Sequence, residues 1–191
     1  WPSVISVRIN THPFSQPACM PSLSSAIALG SNLGDSLTIL QGAIAALTQS
    51  PHITVTTCSS IYTTAPVGPP QPDYYNACAL LNTDLAPEEM LRTLLQIEAK
   101  FGRVRRERWG PRLLDLDLLL FGNIVMTTPT LQLPHPRMHE RPFVLVPLAE
   151  IAPHWVDPIS GKAIAQLAAG VSHEGVERLV DKPTLLHRNG K

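Results

Sequence analysis

The chain has 191 residues, of which 44% are hydrophobic and only 16% charged, and its formal net charge is +0. That is long enough for one domain with a substantial core and too apolar for a disordered chain. Neutral total charge argues against a dedicated nucleic-acid binder, and no run approaches the ~18 apolar residues of a membrane span, so neither nucleic acid nor membrane is expected as a partner.

Residues 1–21 lack hydrophobic periodicity, begin with Trp1 and contain Pro2, Pro13, Pro17 and Pro21. The apolar centre of a signal peptide is missing. They are read as an unstructured leader, with Met20 as the natural start. A single domain is expected over 22–180 and a tail over 181–191. Ser25 to Leu29 reads as a short apolar strand. G-S-N-L-G-D follows, and Asp35 or Asn32 can cap a helix. This loop lacks the G-K-[ST] of a phosphate-binding loop, so a structural turn is the better account. Leu37, Leu40, Ile44 and Leu47 recur at spacings of three and four and predict an amphipathic helix ended by Pro51. Residues 53–63 are rich in β-branched residues and predict a strand. After a proline-rich loop, Tyr74 to Asn82 predicts a second strand antiparallel to it.

Pro87 suits a first helical position, and the helix predicted over 87–101 puts Leu91, Leu94, Leu95 and Phe101 on one face. Glu98 falls on that same face. A loop with five of the chain's eleven arginines, Arg103 to Arg112, leads into a strand over 113–121. Gly122-Asn123 predicts a turn into a hairpin strand, Ile124 to Met126. A short apolar helix is expected over 143–151, and the remainder is weakly patterned. The order is β-α-β-β-α-β, so the expected class is α+β: a ferredoxin-like antiparallel sheet with two helices on one face and the other face open for ligand.

Asp115 and Asp117 lie two apart on the strand after the arginine loop and therefore share a face. Burying an unpaired charge costs several kcal/mol or more, so the pair needs a cation. Magnesium suits paired carboxylates when phosphate oxygens complete its shell, and the upstream arginines can hold those phosphates. The other account is salt bridges with Arg108 and Arg112. Trp109 either stacks on a flat ligand or packs its own loop. Asn76, inside a strand, either bridges backbone or reads an amide-like ligand edge. His135 and His139, with Arg137 and Arg141, line a second proline-rich loop. Pro134, Pro136 and Pro142 forbid the helix that a zinc pair would need, which leaves contact with anionic phosphate. Cys19, Cys58 and Cys78 are odd in number, without a CxxC, and fit a reducing cytoplasm.

Taken together, these strings resemble the 6-hydroxymethyl-7,8-dihydropterin pyrophosphokinase family of folate biosynthesis, from about Ser25 to about Pro158. The likeness rests on A-L-G-S-N-L-G-D at 28–35, Y-T-T-A-P-V-G-P at 62–69, Q-P-D-Y-Y-N at 71–76, G-R-V-R at 102–105, R-W-G-P-R-L-L-D-L-D at 108–117 and L-P-H-P at 133–136. Two departures stand out: the arginine loop is one residue shorter before Arg108 than is common, and Ala65 replaces a common proline. The resemblance implies transfer of pyrophosphate from ATP to the pterin hydroxymethyl group, with release of AMP. It implies that Asp115 and Asp117 hold two magnesium ions, and that Arg103 and Arg105 belong to a mobile catalytic loop. Arg112, His135 and Arg141 would contact phosphate, and Glu98 would face the nucleotide. Tyr74 and Phe143 would sandwich the pterin, Asn76 would read its amide edge, the backbone from Thr64 through Ala65 to Val67 would complete the pocket, and Trp109 would cap it. ATP and the pterin are the expected partners, and a cytoplasmic monomer is the expected form.

Overall fold

A computed structural model of the protein describes residues 22–66, 69–102, 113–179 and 185. Strand β1 runs Leu23–Ser31 and helix α1 Ser36–Gln49. Of the two capping candidates, Asp35 takes the role. Its carboxylate accepts the Thr38 N–H at 3.2 Å and the Thr38 hydroxyl at 2.7 Å, satisfying a donor that the first turn leaves open. Strand β2 covers Ile53–Cys58, β3 Tyr62–Thr64 and β4 Tyr74–Thr83. Helix α2 is Pro87–Lys100, with Pro87 at its first position. Strand β5 is Asp115–Phe121; β6, Met126–Thr127, and β7, Gln132–Leu133, form a small separate ribbon. Helix α3 spans Pro142–Ile151, α4 Ile164–Ala169, and strand β8 Val176–Arg178 closes the described chain order.

The main sheet runs β5-β1-β4-β3-β8, and β2 also pairs with β4. Its described core pairings are antiparallel, with β1 central between β5 and β4. This is the expected α+β, ferredoxin-like core. Period-two alternation divides the side chains of β4. Ala77, Ala79 and Leu81 join a core with Leu40, Ile44 and Leu47 of α1 and Met90, Leu94 and Ile97 of α2. Cys78 and Leu80 face the other way, against Val144, Leu145 and Leu148 of α3 and Ile164 of α4. The two core helices therefore share one face as expected. The opposite face is not simply open: α3 and α4 cover part of it.

Four local expectations are corrected. The strand predicted over 53–63 is two strands, because Ser59 interrupts the ladder. Its N–H donates to the Cys78 carbonyl, and its hydroxyl oxygen accepts the Cys78 N–H, both at 2.9 Å. A side chain thus replaces a backbone acceptor and the strand can bend. The predicted hairpin strand at 124–126 does not return along β5; Met126 pairs with Leu133 instead. Strand β8 falls where the sequence was weakly patterned; Tyr62 pairs with Arg178 and Thr64 with Val176. Leu185, within the stretch expected to be tail, is buried in the first core.

Candidate active site

Strand β5 buries Leu116 and Leu118 against the first core and so presents Asp115 and Asp117, both half-buried, on the opposite face. The register extends that face across the sheet. Asp115 pairs with Gly30, Gly30 with Asn76, and Asn76 with Tyr62. One row thus leads from a carboxylate to an amide two strands away, about 10 Å at ordinary strand spacing. Gly30 keeps the floor between them low, since a Cβ there would stand 3.3 Å from Asn76 Oδ1.

At the acidic end, Arg141 Nη1 donates to Asp117 Oδ2 at 3.1 Å, and His135 Nε2 lies 3.8 Å from the same oxygen. Strand β5 bulges opposite Ala26 and Ile27, and the carbonyl of Leu119 at that bulge accepts the His135 N–H at 2.9 Å. His135 is therefore docked on the strand that carries the carboxylates. Burial pushes its imidazole below the usual histidine range, against the opposing pull of Asp117. Arg141 caps α3 in extended conformation just before Pro142, and its guanidinium lies 5.7 Å from the Phe143 ring centre. Glu98 is fully buried, and its Oε1 accepts the Leu116 N–H at 2.7 Å. It grips the backbone between the two aspartates.

At the other end, Asn76 and Thr64 are buried, and Asn76 Nδ2 donates to Thr64 Oγ1 at 2.8 Å. Tyr74 alternates onto the same face and its hydroxyl donates to Gln71 Oε1 at 3.4 Å. Asn32 holds this segment from below, donating to Gln71 Oε1 at 2.9 Å and to the Pro72 carbonyl at 3.0 Å. Asn32 and Gln71 were not legible as supports; the loop motif showed only a cap candidate. Ala65 is exposed and Phe143 half-buried.

The structure thus groups Asp115, Asp117, His135 and Arg141 at one end of the row, with Asn76, Thr64 and Tyr74 at the other. His139 turns aside: its Nε2 lies 3.0 Å from the buried carboxylate of Asp157. Arg137 donates its N–H to His135 Nδ1 at 3.2 Å. Val67, Arg103, Arg105, Trp109 and Arg112 lie outside the described residues, as does Arg108. A divalent ion fits the acidic end, because two carboxylates one rung apart offer hard oxygen donors on one face. Among the described residues no group of three or more His, Cys, Asp and Glu forms a metal cage. Such an ion would draw the rest of its shell from phosphate and water.

The family model for 7,8-dihydro-6-hydroxymethylpterin-pyrophosphokinase (HPPK) matches residues 26–153. A Synechocystis protein named 2-amino-4-hydroxy-6-hydroxymethyldihydropteridine pyrophosphokinase is 57% identical over 141 residues, covering 74% of this chain and 72% of that protein. A Pseudomonas aeruginosa protein of the same name is 44% identical over 154 residues, covering 80% of this chain and 94% of its own. Among solved structures, a Plasmodium falciparum HPPK-DHPS chain superposes with a TM-score of 0.68 at 14% identity, over 85% of this chain and 50% of that one. The present chain spans half the length of that protein, and the likeness there is one of fold.

Proposed function

The chain belongs to the 6-hydroxymethyl-7,8-dihydropterin pyrophosphokinase family and transfers pyrophosphate from ATP to the hydroxymethyl group of the pterin, releasing AMP, in folate biosynthesis; from this premise we propose which side chains do the work. The pterin lies at the Asn76 end of the row, its amide edge on Asn76, its ring between Tyr74 and Phe143, and its rim against the backbone of Thr64, Ala65 and Val67. The triphosphate lies at the Asp115 end. His135, Arg141 and Arg112 bind its oxygens, and Arg103, Arg105 and Trp109 close over both substrates. Two magnesium ions, held by Asp115 and Asp117, would neutralise negative charge on the phosphate oxygens of ATP.

Positioning carries most of such a reaction, since phosphoryl transfer asks little covalent help of the protein. The low floor at Gly30 lets the pterin arm reach from the amide to the acidic end. The Arg141–Asp117 contact at 3.1 Å keeps the guanidinium poised where phosphate enters. Glu98 fixes the strand backbone from beneath and, in this reading, faces the nucleotide through that strand. Closing arginines exclude water, which would compete with the alcohol. A cytoplasmic, monomeric form belongs to the same proposal. Its cytoplasmic part is supported by Cys58 and Cys78, present as thiols on opposite faces of the sheet. No helix among the described residues is long and apolar enough to cross a membrane.

One observation carries this reading: the register that sets Asp115, Gly30 and Asn76 side by side on one face. The test is AMP release with ATP, magnesium and hydroxymethyl dihydropterin. Asp115→Ala and Asp117→Ala should each lower turnover by about three orders of magnitude or more, with far-UV circular dichroism unchanged. Near-normal turnover in either variant would refute the assignment of the metal pair.

A further inference from the structure

Glu150 lies in the last turn of α3, on the helix face that carries Phe143, two turns or about 10 Å away. Its carboxylate is engaged by the β2–β3 connection and by β3. Its Oε1 accepts the Ser60 hydroxyl at 2.8 Å, both its oxygens accept the Ser60 N–H at 3.1–3.2 Å, and its Oε2 accepts the Tyr62 hydroxyl at 2.8 Å. Arg178 of β8 completes the group, donating from Nε to Ser60 Oγ at 2.8 Å, with Nη2 3.8 Å from Glu150 Oε1.

The group touches both walls of the proposed pocket. Tyr62 is the register partner of Asn76, and Thr64, which Asn76 contacts, lies two residues along the same strand. On the other wall, the helix that carries Glu150 is capped by Arg141 and bears Phe143 in its first turn. One carboxylate therefore ties β3, the strand paired with the one that carries Asn76, to the helix that carries Phe143. The broken strand makes this possible: the bend at Ser59 leaves the Ser60 N–H outside the ladder, free to meet a side chain. Arg178 brings in a strand beyond residues 26–153, the stretch the family model matches.

We propose that Glu150, buckled to Ser60 and Tyr62 and braced by Arg178, is a positioning residue that sets the width of the pterin cleft. The proposal rests on the pocket assignment given above. A planar ligand held between two walls is sensitive to their separation, so a sub-ångström change in width weakens stacking and the amide contact together. At the nucleotide end, Asp115, Asp117 and His135 sit on β5 and its docked loop, and Arg141, although it opens α3, is tied to β5 by its 3.1 Å bond to Asp117, so this end is held independently of the buckle.

The test measures kcat and both KM values on full-length Glu150→Ala, Glu150→Gln, Tyr62→Phe and Arg178→Ala, with melting temperatures. Glu150→Ala should raise the KM for hydroxymethyl dihydropterin about tenfold and leave the KM for ATP within about twofold. Glu150→Gln keeps one acceptor oxygen and should recover most of the loss. Leu47→Ala opens a cavity in the opposite core, where Leu47 is fully buried, and serves as a destabilised control expected to leave the ratio of the two KM values alone. If Glu150→Ala cannot be purified folded, Tyr62→Phe and Arg178→Ala carry the test, each with about a threefold rise in pterin KM. Equal changes in both KM values, a fall in melting temperature alone, or the same split in Leu47→Ala would each overturn the proposal. Asn76→Ala separates the two levels. An unmoved pterin KM there would remove the pocket and the buckle with it; a raised value beside a normal Glu150→Ala would remove only the buckle.

Discussion

A single missing carbon at Gly30 separates the two ends of the site. A Cβ there meets Asn76 Oδ1 at 3.3 Å, tight enough to turn the amide away from Thr64. Gly30→Ala should therefore raise the pterin KM about tenfold, with a smaller effect on ATP and little loss of melting temperature. An unchanged pterin KM would mean that the floor between the strands is not part of the pocket. Tyr62 offers a second test through its proton. Burial, helped by the hydrogen bond to Glu150, pushes its hydroxyl up to about 12, whereas an unfolded tyrosine titrates near 10. Between those values the native chain holds a proton that the unfolded chain has lost. Stability is therefore full below about pH 10 and falls as pH rises toward about 12. Tyr62→Phe should show a shallower decline of melting temperature over that window, and identical slopes would contradict the burial of the hydroxyl.

Among elements, β5 repays inspection. Its pattern was readable beforehand, because two aspartates alternating with leucines fix which face is apolar whatever the neighbouring strands are. Asn76 was readable only as a polar group inside a strand, with its role left open; its partner was not readable, since Thr64 reaches it only through the β3–β4 register. What escaped the sequence depends on contacts between distant elements. Glu150 ends a run of apolar residues and shows no local sign of the strand it meets. Strand β8 is three residues long, too short for periodicity to register. The break at Ser59 hides in a run of β-branched residues because it rests on a hydroxyl replacing a backbone carbonyl. Glu98 was visible as a carboxylate on an apolar helix face, but its hold on the Leu116 N–H at 2.7 Å was not. Removing that acceptor in Glu98→Leu leaves a buried N–H unpaired, at about 1–3 kcal/mol. The melting temperature should fall, and turnover should fall further than stability alone accounts for, because the orphaned N–H lies between Asp115 and Asp117. A variant as stable and active as the parent would show that the strand needs no such anchor.

At the scale of the molecule, the described residues form a sheet packed on both sides, with the candidate site at the part of one face that α3 leaves uncovered. Its C-terminal region belongs to that design. Strand β8 covers the edge of β3, the Leu179 N–H donates to the Ile61 carbonyl at 2.8 Å, and Leu185 is 5% exposed in the first core. Truncation after Ser172 should lower the melting temperature by several degrees and raise the pterin KM, whereas removal of residues 1–19 should change neither. A truncated chain with parental melting behaviour would show that β8 only decorates the edge.

The central place of β1 also has a consequence in time. Its first partner in the chain order of synthesis is β4, but its other edge waits for β5, and Gly30 meets Asp115 only then. A ribosome adds roughly 5–20 residues per second, so an apolar strand keeps an open hydrogen-bonding edge for several seconds after it emerges. During that interval the edge can recruit any extended segment nearby, including a neighbouring nascent copy. The last strand to arrive on that edge carries both aspartates, so the step that ends the danger of misassembly is also the step that brings the carboxylates beside Gly30.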